Sequence, residues 1–302
     1  MKFSIFQDTR QGQRRYNQDR IAYCYSREAL MMVVADGMGG HLHGEVAAQI
    51  AVQYLTEVFQ REAKPSLSDP FLFLSRGLTN AHHAIVDYSF DRDLPEAPRT
   101  TCVACVVQDG LAYWAHSGDS RLYVLRRGQV LLRTRDHSRV QMMLDEGLIS
   151  PEEAMVHPGR NKIFSSLGGH TSPQIDFSRK TPLAAGDVVL LCTDGVWGPL
   201  ENEQIARSLS GTTLSQSIPL LMDLAEREGG VHCDNLSLIA MVWEDGDSPQ
   251  TVSTQTLALD HFTTQMEGLA RSRLPASASD LSDEEIERAI SEINNAIRKY
   301  SK

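Results

Sequence analysis

No apolar run in the 302-residue chain approaches the roughly 18 residues that a bilayer span needs. The opening MKFSIFQDTRQGQRR also lacks an apolar stretch of signal-peptide length. A soluble cytoplasmic protein with no membrane contact is the expectation. Long basic runs are missing as well. The 39 acidic residues outnumber the 29 basic ones for a formal charge of -10, so the electrostatic footprint of a nucleic-acid or anionic-lipid binder is absent. Cysteine is scarce and odd in number. Cys24, Cys102, Cys105, Cys192 and Cys233 sit among apolar neighbours, which suits buried thiols in a reducing compartment better than a disulfide framework. Cys102 and Cys105 form a CxxC, but TTCVACVV is a β-branched run, and residues three apart on a strand point to opposite faces. With no second pair, a structural zinc site is not expected there. The ten histidines do not cluster along the chain as a set of zinc ligands either.

What is present describes a globular protein, 41% hydrophobic. Short apolar runs bounded by Gly, Asp and Arg, namely Met31 to Ala35, Cys102 to Val107, Arg121 to Leu125, Val188 to Cys192 and Leu236 to Trp243, predict strands. Helical periodicity holds in two stretches, through Val46, Ile50, Tyr54, Leu55 and Phe59 and through Leu74, Leu78, Ala81 and Ile85, and a third helix is expected over Pro219 to Glu228. Helices between groups of strands, with hairpin signals such as Arg127-Gly128, imply an α+β sandwich with helices covering its sheet faces. From Asp245 to Asp280 the composition turns to Ser, Thr, Gln and Pro, so the main domain, 1–244, is expected to end near Glu244. The remainder, 245–302, reads as a polar linker and then an amphipathic helix, with a capping box at Ser282 and Glu285 and an apolar stripe through Ile286, Ile290, Ile293, Ile297 and Tyr300.

The chemistry concentrates in acids at strand ends. Val33-Val34-Ala35-Asp36-Gly37-Met38-Gly39-Gly40-His41 runs from a buried strand into a glycine turn, where an aspartate and the next carbonyl can face a metal unobstructed. The arrangement recurs at Thr193-Asp194-Gly195, at Gly118-Asp119-Ser120 and at Cys233-Asp234-Asn235. One such dipeptide is ordinarily a turn; four beside apolar strands are harder to explain that way. Hard oxygen donors without a His or Cys cluster favour magnesium or manganese, and converging carboxylates need a cation to offset their repulsion. Arg14, close to Asn17, Gln18 and Asp19, adds a guanidinium suited to gripping phosphate.

These motifs, in this order from about Phe3 to Trp243, resemble the metal-dependent protein phosphatases, also called type 2C or PPM serine/threonine phosphatases, in their bacterial form. The resemblance rests on Arg14 to Asp19, Asp36 to His41 with Gly44-Glu45, Thr100-Thr101, Gly118 to Arg121, Asp136-His137-Ser138, Thr193 to Gly195 and Asp234-Asn235. It implies an antiparallel β-sandwich flanked by helices on both faces, with a C-terminal helical extension added here. It also implies Mn2+ or Mg2+, two in the core site and a third beside it. Asp36 takes the position of the bridging ligand, the Gly37 carbonyl completes one metal site, Asp194 and Asp234 serve the other, and Asp119 with Asp194 holds the third ion. Arg14 matches the phosphate-binding arginine, and Asp19 the acid that orients the attacking water.

By the same resemblance the reaction is hydrolysis of phosphoserine and phosphothreonine in proteins, by in-line attack of a metal-bridging hydroxide and without a phosphoenzyme. Phosphoprotein substrates and a cognate serine/threonine kinase are the implied partners. A catalytically weak pseudophosphatase or binding module, and a small-molecule phosphatase, stay open as alternatives. Two positions depart from the usual pattern. Gln18 stands where the family usually has glutamate, and Met38 where many eukaryotic relatives carry a histidine thought to protonate the leaving group, a proton that methionine cannot supply. His41 and His43 flank the glycine turn with structural or outer-shell roles expected, His82 and His83 are expected at a helix surface, and Gln141 to His170 matches the family's mobile flap. The terminal helix is expected to dock on its own domain, on another copy or on a partner, since its apolar stripe is poorly solvated alone.

Overall fold

Strand residues alternate between two faces, and in this chain both faces of the central strands are apolar, so each sheet must be covered on both sides. The computed structural model describes residues 1–38, 43–244, 263–267 and 283–300. The chain opens with β1 (Lys2–Arg10), β2 (Arg20–Tyr25) and β3 (Ala29–Ala35), then α1 (Gly44–Glu62) and α2 (Pro70–Asp91). It continues through β4 (Arg99–Thr100), β5 (Cys102–Gln108), β6 (Leu111–Ser117), β7 (Arg121–Arg126) and β8 (Gln129–Arg133). After these come α3 (Arg139–Asp145), α4 (Pro151–Met155), β9 (Leu167–Gly168), β10 (Asp176–Phe177), β11 (Thr181–Pro182) and β12 (Val188–Cys192). The last group is α5 (Asp194–Trp197), α6 (Asn202–Ser208), α7 (Leu214–Gly229), β13 (Leu236–Glu244), β14 (Thr263–Glu267) and α8 (Asp283–Tyr300).

One antiparallel sheet runs β1-β13-β12-β7-β8; the other runs β10-β6-β5-β3-β2-β14, with β11 also on β6. Between them Leu30, Met32, Val34, Val103, Cys105, Val189, Leu191 and Ile239 form the central core. The alternate residues Met31, Val33, Cys102 and Ala104 face α1 and α2, and Leu190, Cys192, Leu238 and Ala240 face α5 to α7. The result is the expected α-β-β-α sandwich. Cys102 and Cys105 do lie in different cores, as the strand period requires. Each such fully buried side chain contributes roughly 1.5–3 kcal/mol, which is why these runs dictate the layers.

Several local expectations hold. The β7–β8 hairpin turns on Arg127 and Gly128, at φ 53 and 72, and α2 spans the expected Leu74 to Ile85 periodicity; its cap, Asp69 accepting from Phe71 and Leu72 N–H, was not anticipated. The third helix differs from expectation. It starts at Leu214 rather than Pro219, because Leu214, Ser217 and Ile218 are buried and the single donor that Pro219 lacks costs less than exposing that turn. His82 is also a correction: it is buried, its Nδ1 accepts the Gly168 N–H at 3.1 Å, and burial pushes its pKa down to about 4. His83 is exposed. The expected flap segment carries α3 and α4, capped by Ser138 and Ser150.

Past Glu244, β14 pairs antiparallel with β2, and α8 lies on α1 and α2 with Ile293, Ala296 and Ile297 buried. The Tyr54 hydroxyl donates to the Tyr300 carbonyl at 3.0 Å and Lys299 pairs with Asp91 at 2.8 Å. Within the stretch expected to be a polar linker, Thr263–Glu267 is a sheet strand instead, because its backbone completes the open edge of β2. The rest of that stretch, Gly39, Gly40, His41 and the Ser282 cap lie outside the described residues.

Candidate metal centre and active site

β3, β12 and β13 each meet an aspartate at the same end of the sandwich. Asp36 follows β3, Asp194 opens α5 directly after β12, Asp234 lies just before β13, and Asp119 sits in the turn between β6 and β7. With Arg14, Gly37, Met38 and Thr101 these four line one cavity of about 410 Å3. Asp19, the remaining expected residue, lies behind the lining and is 1% exposed.

Backbone approach explains the glycines here. A Cβ on Gly37 would lie 2.4 Å from the Gly44 carbonyl oxygen, so only glycine lets the first residue of α1 press against the segment that carries Asp36. Gly118, at φ 107, would drive a Cβ within 2.6 Å of Thr101 Cβ. Thr101 couples two acids. Its N–H donates to the Asp36 carbonyl at 2.9 Å, and its hydroxyl meets Ser120 at 2.6 Å, next to Asp119. Asn235 ties the N-terminal loop down by donating to the Gln11 and Tyr16 carbonyls at 2.8 and 3.1 Å and accepting from Gln18 N–H at 2.9 Å.

Beneath the cavity lies a polar network around Asp19 whose other members, Thr9, Thr193 and Ser237, were assigned no role from the sequence. Thr193 Oγ1 donates to Asp19 Oδ2 at 2.9 Å and accepts from Ser237 N–H at 3.0 Å. Asn17 accepts from Asp19 N–H at 3.0 Å and donates to Thr9, whose hydroxyl meets Ser237 at 2.7 Å. Thr193, directly before Asp194, was the available signal; Thr9 and Ser237 are not adjacent to any acid of the site. Gln18, the departure from the usual glutamate, donates to Glu45 at 3.2 Å, so a glutamate at 18 would face a like charge.

The acids raise one another. Loss of solvent, then the neighbouring carboxylates, pushes Asp36 and Asp119 well above the usual carboxylate range. Burial and Asp234 bring Asp194 up to about 6, and burial brings Asp19 to about 7 against its hydrogen bonds from Thr193 and Ser237. Arg14 is the guanidinium paired with the group. It grips Asp234 bidentately, Nε to Oδ1 at 2.7 Å and Nη2 to Oδ2 at 2.5 Å, while its side chain stays 55% exposed. Asp19 Oδ1 is buried without a partner. An all-oxygen donor set, mutually raised acids and an orphaned carboxylate oxygen fit hard divalent cations. The fold and cavity thus define an α-β-β-α sandwich with a candidate divalent-cation site at one end.

Residues 7–221 match the family described as Protein phosphatase 2C. The chain belongs to that family of metal-dependent phosphatases. It is 36% identical over 223 residues to the serine/threonine protein phosphatase PstP of Mycobacterium tuberculosis, a match covering 74% of this chain and 42% of PstP. The chain therefore spans less than half the length of that relative. Among solved structures, the Streptococcus agalactiae serine/threonine phosphatase superposes with a TM-score of 0.73 at 30% identity, over 80% of this chain and all of that one. A PstP catalytic domain in complex with two manganese ions superposes with a TM-score of 0.68 at 30% identity, over 80% of this chain and 99% of that domain. No helix among the described residues is long and apolar enough to cross a membrane.

Proposed function

We propose that the chain is a protein-serine/threonine phosphatase that hydrolyses phosphoserine and phosphothreonine esters in cytoplasmic proteins and so reverses a cognate kinase. The convergence of Asp36, Asp119, Asp194 and Asp234 with Arg14 on one cavity carries this reading. Asp36, the Gly37 carbonyl, Asp194 and Asp234 would hold two manganese or magnesium ions, and Asp119 with Asp194 a third. When bound, the ions supply Lewis acidity that makes water nucleophilic near neutral pH.

The protein's own groups do the positioning. Arg14, half-exposed at the cavity wall, can exchange its fork on Asp234 for two oxygens of a phosphate, since each presents a pair of oxygens to the planar guanidinium. Asp19, fixed by Thr193, is placed to accept a proton or orient water from behind. Met38 lines the cavity with its N–H committed to the Arg99 carbonyl at 3.0 Å, so its thioether offers no acid to the leaving group.

In this reading residues 1–244 are the catalytic unit and 245–302 an accessory tail, with α8 docked in cis as a clasp on α1 and α2. Burial of Ile293 and Ile297 supports the clasp. Hydrolysis of a phosphopeptide panel and of p-nitrophenyl phosphate, with manganese, with excess chelator and with Asp36→Asn, tests the reading. Phosphopeptide turnover that needs metal and Asp36 is expected. Turnover in chelator, or preference for small esters over every phosphopeptide, would overturn it.

A further inference from the structure

Outside the aspartate cavity, the topology assembles three potential ligands that are far apart in sequence. β10 pairs with β6 so that Asp176 lies directly across from His116, and His137 arrives from the segment after β8. The two imidazoles stack with centroids 4.8 Å apart at 25°, and Phe164 covers the other side of His137. Both histidines are more than nine-tenths buried, yet His116 Nδ1 and His137 Nε2 have no hydrogen-bond partner. Asp176 Oδ2 lies 3.3 Å from His137 Nε2. Buried polar atoms of this kind ordinarily find a partner, so His116 Nδ1, with none, on a ring facing His137 and its one long contact to a carboxylate, points to a missing one.

We propose that His116 Nδ1, His137 Nε2 and Asp176 Oδ2 form a zinc-binding site, with water as the fourth ligand. Two imidazoles and a carboxylate are a donor set suited to zinc, in contrast with the all-oxygen aspartate cavity. The supporting shell is in place on two of the three. His116 donates Nε2–H to the Arg135 carbonyl at 2.8 Å, which leaves Nδ1 with its lone pair, and Asp176 Oδ1 is held by Gln174 at 3.0 Å.

The three candidate ligand atoms lie within 4.8 Å of one another, whereas tetrahedral zinc ligands stand ~3.4 Å apart. The His137–Asp176 pair is already at that spacing, and Asp176 is half-exposed on a two-residue edge strand that can shift. One contact opposes zinc: Gly118 N–H donates to His137 Nδ1 at 3.2 Å, and metal on Nε2 would move the ring proton to Nδ1. A single long hydrogen bond is exchanged for three metal–ligand bonds, and its loss is a signature of occupancy.

The test is zinc stoichiometry and affinity for the full chain by calorimetry and elemental analysis, with cobalt as a spectroscopic probe, on wild type, Asp176→Asn, His116→Gln and Asp36→Asn. The expected result is one zinc equivalent retained in Asp36→Asn but weakened at least tenfold in Asp176→Asn and His116→Gln. Cobalt should give the visible absorption of a four-coordinate nitrogen-containing site, and the Gly118 amide resonance should move on zinc addition only where Asp176 is intact. Manganese-dependent hydrolysis should persist in Asp176→Asn. Zinc uptake and cobalt spectrum unchanged in a folded Asp176→Asn protein, or no zinc bound once Asp36 is replaced, would overturn the proposal. Because the site shares no residue with the aspartate cavity, that failure would leave the phosphatase reading standing.

Discussion

Two groups of buried charge lie side by side in this molecule, and they are built oppositely. Asp136 is matched: Arg121 takes both its oxygens at 2.9 and 2.7 Å, donates to the Tyr123 hydroxyl at 3.1 Å, and rests 3.4 Å above the Trp197 ring. Trp197 in turn donates to the Asp119 carbonyl at 3.0 Å. Two residues along, the Asp119 side chain belongs to a cluster whose members drive one another's pKa upward, and Arg14 pairs with Asp234 at its edge. Repulsion left uncompensated in a folded protein is stable only if something else neutralises it. The matched pair is scaffold; the aspartate cluster, with Arg14 on one member only, is the group proposed to hold cations. Trp197 joins them, holding the backbone of one candidate ligand from the helix that Asp194 begins.

The largest expected effect is on catalysis. Asp36→Asn or Asp234→Asn should lower metal-dependent hydrolysis by more than about a hundredfold, beyond what loss of an outer-shell partner costs, with metal affinity falling in calorimetry. Comparable turnover with both substitutions would erase the distinction between the two groups. The converse substitution, Arg121→Met, leaves Asp136 buried and unpaired, so urea unfolding should show a loss of about 3–5 kcal/mol. A loss below about 1 kcal/mol would mean that the pair is no scaffold.

The metal-free chain should show the same contrast in its pH dependence. Asp194 titrates at about 6 in the fold against 3.8 ordinarily, so the neutral acid is favoured by folding. Its contribution is whole below about pH 3.8 and is lost as the pH rises through 6, where the unfolded chain prefers the charged form more strongly. At pH 7 without metal, Asp194→Asn should therefore be more stable than wild type by up to about 3 kcal/mol, at about 1.4 kcal/mol per pKa unit. The advantage should vanish near pH 4, and added manganese should reverse it. Equal stability of the two proteins from pH 4 to 7 would contradict the repulsion.

Smaller effects are expected away from the cavity. Ending the chain at Glu244 removes β14 and α8, and should cost roughly 2 kcal/mol and a few degrees of Tm with a similar rate per folded molecule. A folded truncation without hydrolysis would show that the tail belongs to the catalytic unit. Met38→Ala should change the rate less than about threefold for good leaving groups, because the thioether has no proton to donate. A loss near that of Asp36→Asn would place Met38 in the chemistry.

Much of this was legible in the sequence because it is local. The periods of Met31–Ala35 and Cys102–Val107 and the Arg127-Gly128 turn are each encoded within a few residues, and their elements formed where expected. The expected ligands Asp36, Gly37, Asp119, Asp194 and Asp234 line one cavity because each ends or precedes a strand that leaves the sandwich on the same side. β1 and β2 were not anticipated as strands, since polar residues interrupt their apolar positions, and pairing with β13 and β3 is what extends them.

The sequence alone determined the layered architecture, the acids at the strand ends and the kind of cation they suit, because alternation, turn chemistry and ligand hardness are properties of short segments. Tertiary structure decided what depends on distant partners: Lys2 beside Glu244, Thr193 beneath Asp19, His82 turned inward, and His116 and Asp176 brought to His137 though the histidines do not cluster along the chain. Such contacts form only when sheet pairing has closed long loops, and no periodicity within a segment records which loop will close on which.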